Sequence, residues 1–178
     1  MDVFEAIQKR KSVRSYESTP VPKETLAKLL EAARIAPSAN NTQPWHFIIV
    51  TNSEKRKELS KGTYAKFLAN VPVVIVACGD MKASPDWYAV DASLALENMV
   101  LTATGEGLGT CCVGSFDEGQ VKKLLGLPEN FSVIALLAVG YAHEKEGLTT
   151  KFYRLVNRKL EELQEIASLE EYGQRFVA

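Results

Sequence analysis

Hydrophobic residues recur along much of the chain at the spacing of an α-helix. This pattern predicts a short first helix capped by Asp2, and a second helix that opens at Pro22 and ends before Pro37. The longest such pattern predicts a helix from Trp87 to Glu106, whose many small residues suggest a subunit interface. Shorter helices are predicted at residues 53–60 and 117–125.

Apolar runs rich in β-branched residues predict strands between these helices. They cover residues 46–51, 71–78, 110–115 and 133–141. Pro72 is expected at the start of its strand, because proline cannot donate to a sheet ladder. A helix-like tail follows at residues 152–167. These elements predict one domain over residues 1–178, and their order alone is typical of a doubly wound parallel sheet.

The glycines between residues 105 and 109 superficially match a dinucleotide-binding fingerprint. That fingerprint follows a strand and opens a helix, so that the helix N-terminus can bind a pyrophosphate. Here Gly105, Gly107 and Gly109 end a helix and lead into a strand. The sequence therefore predicts no Rossmann site, and the missing phosphate loop argues against a doubly wound sheet.

Composition narrows the class of protein. The chain has 178 residues, 46% of them hydrophobic, and a formal net charge of -1. These values fit one globular domain and give no reason to expect a nucleic acid or an anionic membrane as partner. No run approaches the roughly 20 apolar residues of a membrane span. The acidic, periodic N-terminus does not resemble a signal peptide.

Cysteine and histidine usage argues against a disulfide framework and a metal site. The three cysteines include the adjacent pair Cys111 and Cys112, so we expect free thiols and a reducing, cytoplasmic setting. His46 and His143 are far apart, and neither has metal-ligand spacing to a cysteine. No catalytic triad or carboxylate pair stands out, so no side chain is assigned as catalytic.

A basic segment follows the first helix. In an extended backbone, alternate residues share a face, so Arg10, Ser12 and Arg14 would point the same way. Two guanidinium groups flanking a hydroxyl form a plausible anion clamp, because their forks match phosphate oxygens. The alternative is a solvated basic turn at a helix C-terminus, which explains Arg10 and Lys11 but not Ser12 and Arg14.

Residues 37–50 connect the second helix to the first strand through small and amide side chains. Ser38, Asn41 and Gln43 can offer hydrogen-bonding groups to a flat polar ligand, while Trp45 anchors the segment. The alternative is a rigid loop with a core tryptophan. Farther along the chain, Gly114 and Ser115 end a strand, where a backbone amide can approach a flat ligand edge closely.

Together these motifs resemble the FMN-dependent nitroreductase family in its short form. They are Arg10–Arg14, Pro37–Trp45, Gly107–Phe116 and Arg158–Leu163, and the resemblance runs from Val3 to Gly173. It implies an α+β fold with a central, mostly antiparallel sheet flanked by helices. It also implies an intertwined homodimer with one FMN in each of two interface clefts. A C-terminal arm, residues 152–178, would then pack on the partner subunit.

The resemblance also assigns residues to the two ends of the cofactor. Phosphate and ribityl contacts match Arg10, Ser12 and Arg14, with Lys11 inside the motif, and Arg158 matches a C-terminal cation near the phosphate. Because Leu160 stands soon after Arg158 where the family often has proline, Lys151 and Arg154 are alternatives. The segment reaching the flavin from the other subunit matches Pro37, Ser38, Ala39, Asn41 and Gln43. The strand end near flavin N5 matches Gly114 and Ser115.

The implied activity is an FMN-dependent NAD(P)H oxidoreductase that reduces nitroaromatic, quinone or similar acceptors. NADH or NADPH would give a hydride to the flavin and leave before the acceptor binds, which predicts ping-pong kinetics. Two alternatives are a flavin-binding or redox-sensing protein with little turnover, and a dehalogenase-type relative on the same fold. The dehalogenase chemistry would need an added lid or acid near the flavin, and the sequence offers no clear candidate.

Overall fold

A computed structural model describes residues 1–143 and 160–175 of the chain. The chain divides into two compact units, residues 1–147 and 148–178. In the first unit the helices are α1 (Val3–Lys9), α2 (Lys23–Arg34), α3 (Ser53–Leu59), α4 (Tyr88–Gly105) and α5 (Glu118–Leu125). The strands are β1 (Trp45–Val50), β2 (Val73–Asp80), β3 (Gly109–Val113) and β4 (Phe131–Gly140). Short 3-10 helices cover Ala39–Asn41 and Lys66–Asn70.

Local capping explains where several of these helices begin and end. The Asp2 side chain accepts a hydrogen bond from the Glu5 backbone at 2.8 Å, and Asp117 accepts one from Gln120 at 2.8 Å. Gly126 ends α5 with a left-handed φ of 68°, a conformation that glycine adopts without strain. The predicted start of α1 and the predicted start and end of α5 are therefore confirmed.

The sheet in residues 1–143 is antiparallel throughout, with strand order β1-β2-β4-β3. This confirms the antiparallel sheet that the family resemblance implies. The order of the elements alone is typical of a parallel sheet, and that prediction is wrong. The order is misleading because the interior strands are buried on both faces. The interior strands β2 and β4 carry continuous apolar runs, which are also typical of parallel sheets between two helix layers.

Helices cover both faces of the sheet. Alternate residues of β2 enter different cores: Ile75 packs with Leu29 of α2 and Met99 of α4, whereas Val76 packs with Leu59 of α3. Leu68, from the second 3-10 helix, is fully buried in the α3 side of the core. The arrangement is the helix-flanked α+β architecture predicted above.

The second unit contains one short helix among its described residues, α6 (Leu163–Ile166). The predicted continuous tail helix, residues 152–167, is wrong in its described part, because residues 160–162 and Ala167 are not helical. Its first part lies outside the described residues. Ser168 and Arg175 form an isolated antiparallel bridge, and Gly173 donates a hydrogen bond to the Ser168 hydroxyl at 3.0 Å. Across the described part of the chain, no helix is long and apolar enough to cross a membrane.

Candidate functional site

The basic segment after α1 is extended and lies against β3. Ser12 forms an isolated parallel bridge with Thr110, and the Val13 backbone donates to the Thr110 carbonyl at 2.8 Å. Val13 is buried over Gly109, where an added Cβ would lie 2.7 Å from a Val13 methyl carbon. The segment can follow the strand this closely because residue 109 has no side chain. The predicted extended conformation is confirmed.

The three predicted clamp residues lie on the extended segment that pairs with β3 at Thr110. Burial raises the pKa of the Cys111 thiol, while the charge of Arg14, a hydrogen bond with Ser12 and the charge of Arg10 act to lower it. Two cations and a hydroxyl therefore lie on the segment beside β3.

Lys11, between Arg10 and Ser12, has an exposed side chain. On the sequence pattern it belongs to the opposite face from the clamp residues. It adds positive charge to the same segment.

Gly114 and Ser115 follow directly after β3, so the clamp segment and the predicted amide site adjoin the same strand. At about 3.3 Å per residue, Thr110 and Gly114 are about 13 Å apart along the strand. A Cβ added to Gly114 would meet no heavy atom of the described residues within 4 Å. The backbone at Gly114 is thus accessible to a ligand. Ser115 is held from the other side, where its hydroxyl accepts a hydrogen bond from the Tyr64 backbone at 3.3 Å.

The segment between α2 and β1 is folded on itself by its own polar groups. The Gln43 backbone donates to the Ser38 hydroxyl at 2.9 Å, and the Gln43 side-chain amide donates to the Asn41 side chain at 3.1 Å. Asn40, Asn41 and Gln43 have φ values of 51°, 54° and 51°. This left-handed region is uncommon outside glycine, although asparagine tolerates it best. The loop conformation is therefore costly and is stabilised by these internal bonds.

Sequence reasoning missed the residue that fixes this loop to the core. Asp91, on α4, is only 2% exposed, and its carboxylate oxygens lie 3.2 and 3.3 Å from the backbone nitrogen of Ala39. The sequence does contain an indication of this role, because Asp91 is one helical turn before the buried Ala95 and so lies on the apolar face of α4. A charged residue on the apolar face of a helix requires a partner.

The loop and the clamp occupy different corners of the sheet. They adjoin the outer strands β1 and β3, which are three strand spacings apart, about 14 Å. Trp45 pairs with Gly79 at the end of β2, whereas Thr110 aligns through Val139 with Val73 at its start. That difference adds about 20 Å along the strands. One chain does not bring the two sets of predicted site residues together.

Two helices of the first unit expose apolar side chains. On α1 these are Val3, Phe4 and Ile7, and around the start of α4 they are Trp87, Val90 and Leu94. The α4 residues are spaced three and four apart, so they form a stripe on one helix face, away from the buried Ala92 and Met99. An exposed stripe of this kind is typical of an interaction surface.

Arg158, together with its alternatives Lys151 and Arg154, lies outside the described residues.

Comparison with known proteins identifies the family. A family model described as the nitroreductase family matches residues 7–70 and 59–141. A protein from Archaeoglobus fulgidus, provisionally named NADH dehydrogenase/NAD(P)H nitroreductase, is 35% identical over 153 residues, covering 82% of this chain and 88% of its own.

Solved structures agree with this result. A Parabacteroides distasonis protein with the same provisional name superposes with a TM-score of 0.84 at 31% identity, covering 96% of this chain and 98% of its own. An FMN-dependent nitroreductase from Clostridium difficile superposes with a TM-score of 0.74 at 31% identity, covering 89% of this chain and 99% of its own.

Proposed function

This chain belongs to the nitroreductase family, and we propose that it is an FMN-dependent NAD(P)H oxidoreductase that acts as a homodimer. The observation that carries the proposal is the pairing of the segment that holds Arg10, Ser12 and Arg14 with β3 at Thr110, and the accessible Gly114 just beyond the end of β3. One edge of the sheet thus offers an anion clamp and an open backbone. The relative from Clostridium difficile, described as FMN-dependent, supports the same cofactor.

The clamp fits the phosphate end of FMN. Guanidinium groups bind phosphate oxygens through paired, charge-assisted hydrogen bonds, and the hydroxyl of Ser12 adds a neutral contact. Lys11 adds a further positive charge nearby. Arg158, or in its place Lys151 or Arg154, would contribute a cation from the C-terminal arm.

The strand end fits the flat ring system. A side chain at residue 114 would occupy the space that a planar ligand needs, and glycine leaves it open. The proposed contact is a hydrogen bond from the backbone at Gly114 or Ser115 toward flavin N5. This donor is fixed by β3, so it needs no reorganisation when charge develops on the ring.

The separation of the two motifs supports a dimeric site. Pro37, Ser38, Ala39, Asn41 and Gln43 would serve the flavin that is clamped by the partner subunit. In our proposal the exposed stripe on α4 packs in the subunit interface, and the C-terminal arm, residues 152–178, packs on the partner. The exposed side chains of Leu160 and Tyr172 in that arm support this role.

FMN held there would supply the redox chemistry, namely hydride transfer from NADH or NADPH and then to a nitroaromatic, quinone or similar acceptor. The chain binds the phosphate with Arg10 and Arg14, and orients the ring against the strand end at Gly114. Donor and acceptor would occupy the same cleft in turn, which gives ping-pong kinetics. We assign no catalytic side chain, and a cytoplasmic location stays a prediction.

An anaerobic titration tests the function. Purified protein incubated with FMN and passed through a desalting column should stay yellow, and NADH or NADPH should bleach its flavin absorbance. A quinone or a nitroaromatic should then restore the colour without air. A protein that retains FMN but is not reduced by either nucleotide would be a flavin-binding or redox-sensing protein. A protein that retains no FMN would contradict the proposal.

A further inference from the structure

The loop between α3 and the second 3-10 helix lies directly against the end of β3. A Cβ added to Gly62 would lie 1.7 Å from the carbonyl oxygen of Ser115 and 2.7 Å from its carbonyl carbon. Both are backbone atoms, so neither can rotate out of the way as the end of a flexible side chain would. Residue 62 is therefore required to be glycine by packing against Ser115.

A second contact holds the same residue. The Tyr64 backbone donates to the Ser115 hydroxyl at 3.3 Å, so residues 62 and 64 contact Ser115 through its carbonyl and its side chain, respectively. We call residues 61–64 the brace. Its contacts with Ser115 link two segments that are distant in sequence.

The brace is itself fixed to the core. The Ala65 backbone donates to the Gly62 carbonyl at 3.0 Å, and the Leu68 backbone donates to the Ala65 carbonyl at 2.8 Å. Ala65 and Leu68 are fully buried. Since core side chains pack closely and resist displacement, the brace transmits a fixed position to Ser115.

The residue before Ser115, by contrast, has open space around it. A Cβ on Gly114 would contact no heavy atom within 4 Å in the described part of the chain. The backbone at residues 114–115 is therefore supported by the brace at Ser115 and has free space at Gly114.

We propose that Gly62 is a positioning residue for the flavin-facing backbone at Gly114 and Ser115. This inference rests on the proposed function, and it adds the element that sets the distance and direction of the backbone donor to the ring. Gly62 does not touch the cofactor in this proposal. It acts through Ser115, because the Cβ of any larger residue would overlap the Ser115 carbonyl and displace the strand end.

Gly62→Ala in the full chain, reconstituted with FMN, tests the proposal. The expected result is a shifted midpoint potential of the bound flavin and a rate of flavin reduction by NADH or NADPH lowered by about 10- to 100-fold, since misplacement by about 1 Å has effects of this size. Gly105→Ala is the matched control, because its Cβ would meet no heavy atom of the described residues within 4 Å. It should keep the wild-type potential and rate. A wild-type potential and rate in Gly62→Ala would overturn the proposal.

Ser115→Ala covers the case in which Gly62→Ala does not fold. It removes the acceptor for the Tyr64 backbone without adding volume, so hydrogen exchange at the Tyr64 amide should become at least several-fold faster in protein without FMN. Unchanged exchange would overturn the brace. The exchange measurement needs no cofactor, so it tests the brace independently of the proposed function. If the wild-type protein binds no FMN, the proposed function is refuted. The exchange result then still shows whether the brace contacts Ser115.

Discussion

The buried carboxylate of Asp91 accepts a hydrogen bond from the backbone N–H of Ala39, with its two oxygens 3.2 and 3.3 Å from that nitrogen. This contact joins α4 to a loop that contains three non-glycine residues with left-handed φ. In our proposal, α4 is an interface helix and the loop serves the partner's flavin. Asp91 therefore connects the subunit interface to the cofactor site within one protomer.

Asp91→Ala should loosen this loop. Losing a hydrogen bond to a charged group costs about 1.5–3 kcal/mol, so the free energy of unfolding should fall by that amount. FMN affinity should fall as well, because the loop is no longer held. Urea unfolding and fluorescence titration with FMN measure the two effects. Asp91→Asn keeps one acceptor oxygen and should lie between Asp91→Ala and wild type.

Asp86→Ala is the control for Asp91, since Asp86 precedes the same helix but is exposed. It should leave both the stability and the FMN affinity close to wild type. If Asp91→Ala also behaves like wild type, Asp91 does not hold the loop.

Arg14→Ala should weaken FMN binding by about 1.5–3 kcal/mol, the typical contribution of a charge-assisted hydrogen bond. The physical reason is the loss of one cation from the clamp beside Cys111. Equilibrium dialysis of FMN at low and high salt measures the effect, which salt should reduce because it screens exposed charges.

Arg34→Ala is the matched control for Arg14. The Arg34 guanidinium pairs with Glu31 on the surface of α2, at 2.7 Å. An exposed ion pair of this kind contributes little to the free energy of unfolding. FMN affinity should not change in this variant. Equal affinities in Arg14→Ala and wild type would remove Arg14 from the proposed site.

The sequence predicted local structure well where a single residue determines the start or the end of a helix. Asp2 and Asp117 cap their helices, and Gly126 ends α5, because each acts through its nearest neighbours. The direction of the strands could not be predicted in this way. The two interior strands are apolar along their whole length, and such a run does not indicate whether the neighbouring strand is parallel or antiparallel. The family resemblance, not the periodicity, supplied the correct sheet.

The candidate site shows the same division. The extended segment from Arg10 to Arg14 was visible as an alternation, and the structure confirms its conformation. The contact between Asp91 and Ala39, and that between Gly62 and Ser115, join residues far apart in the chain. In the sequence Gly62 reads only as a helix breaker in a polar loop. Its packing role depends on a tertiary contact that no local pattern contains.

The buried thiols should make stability fall at alkaline pH. Burial raises the pKa of Cys78 from 9.0 to about 11, so the folded protein holds this proton more tightly than the unfolded chain does. The stabilisation is fully present below pH 9 and is lost as the pH rises from about 9 to about 11. Urea unfolding under reducing conditions measures the free energy across this range.

Cys78→Ala separates the thiol from other groups that titrate in the same range. This variant is expected to be less stable at every pH, because it leaves a cavity in the core. Its free energy of unfolding should nevertheless fall less steeply than that of wild type between pH 9 and 11, since lysines and tyrosines titrate in both proteins. Parallel curves would show that Cys78 does not contribute.

A mixed dimer tests whether each site combines two chains. In the proposed arrangement, a heterodimer of Arg14→Ala and Asp91→Ala protomers has one site with both defects and one site with neither. That intact site takes its clamp from the Asp91→Ala protomer and its loop from the Arg14→Ala protomer. Two affinity tags isolate the heterodimer, and FMN titration should find about one tight site per dimer, where each parent homodimer has none. If clamp and loop served the same chain's flavin, each site would carry one defect, and the heterodimer would have no tight site.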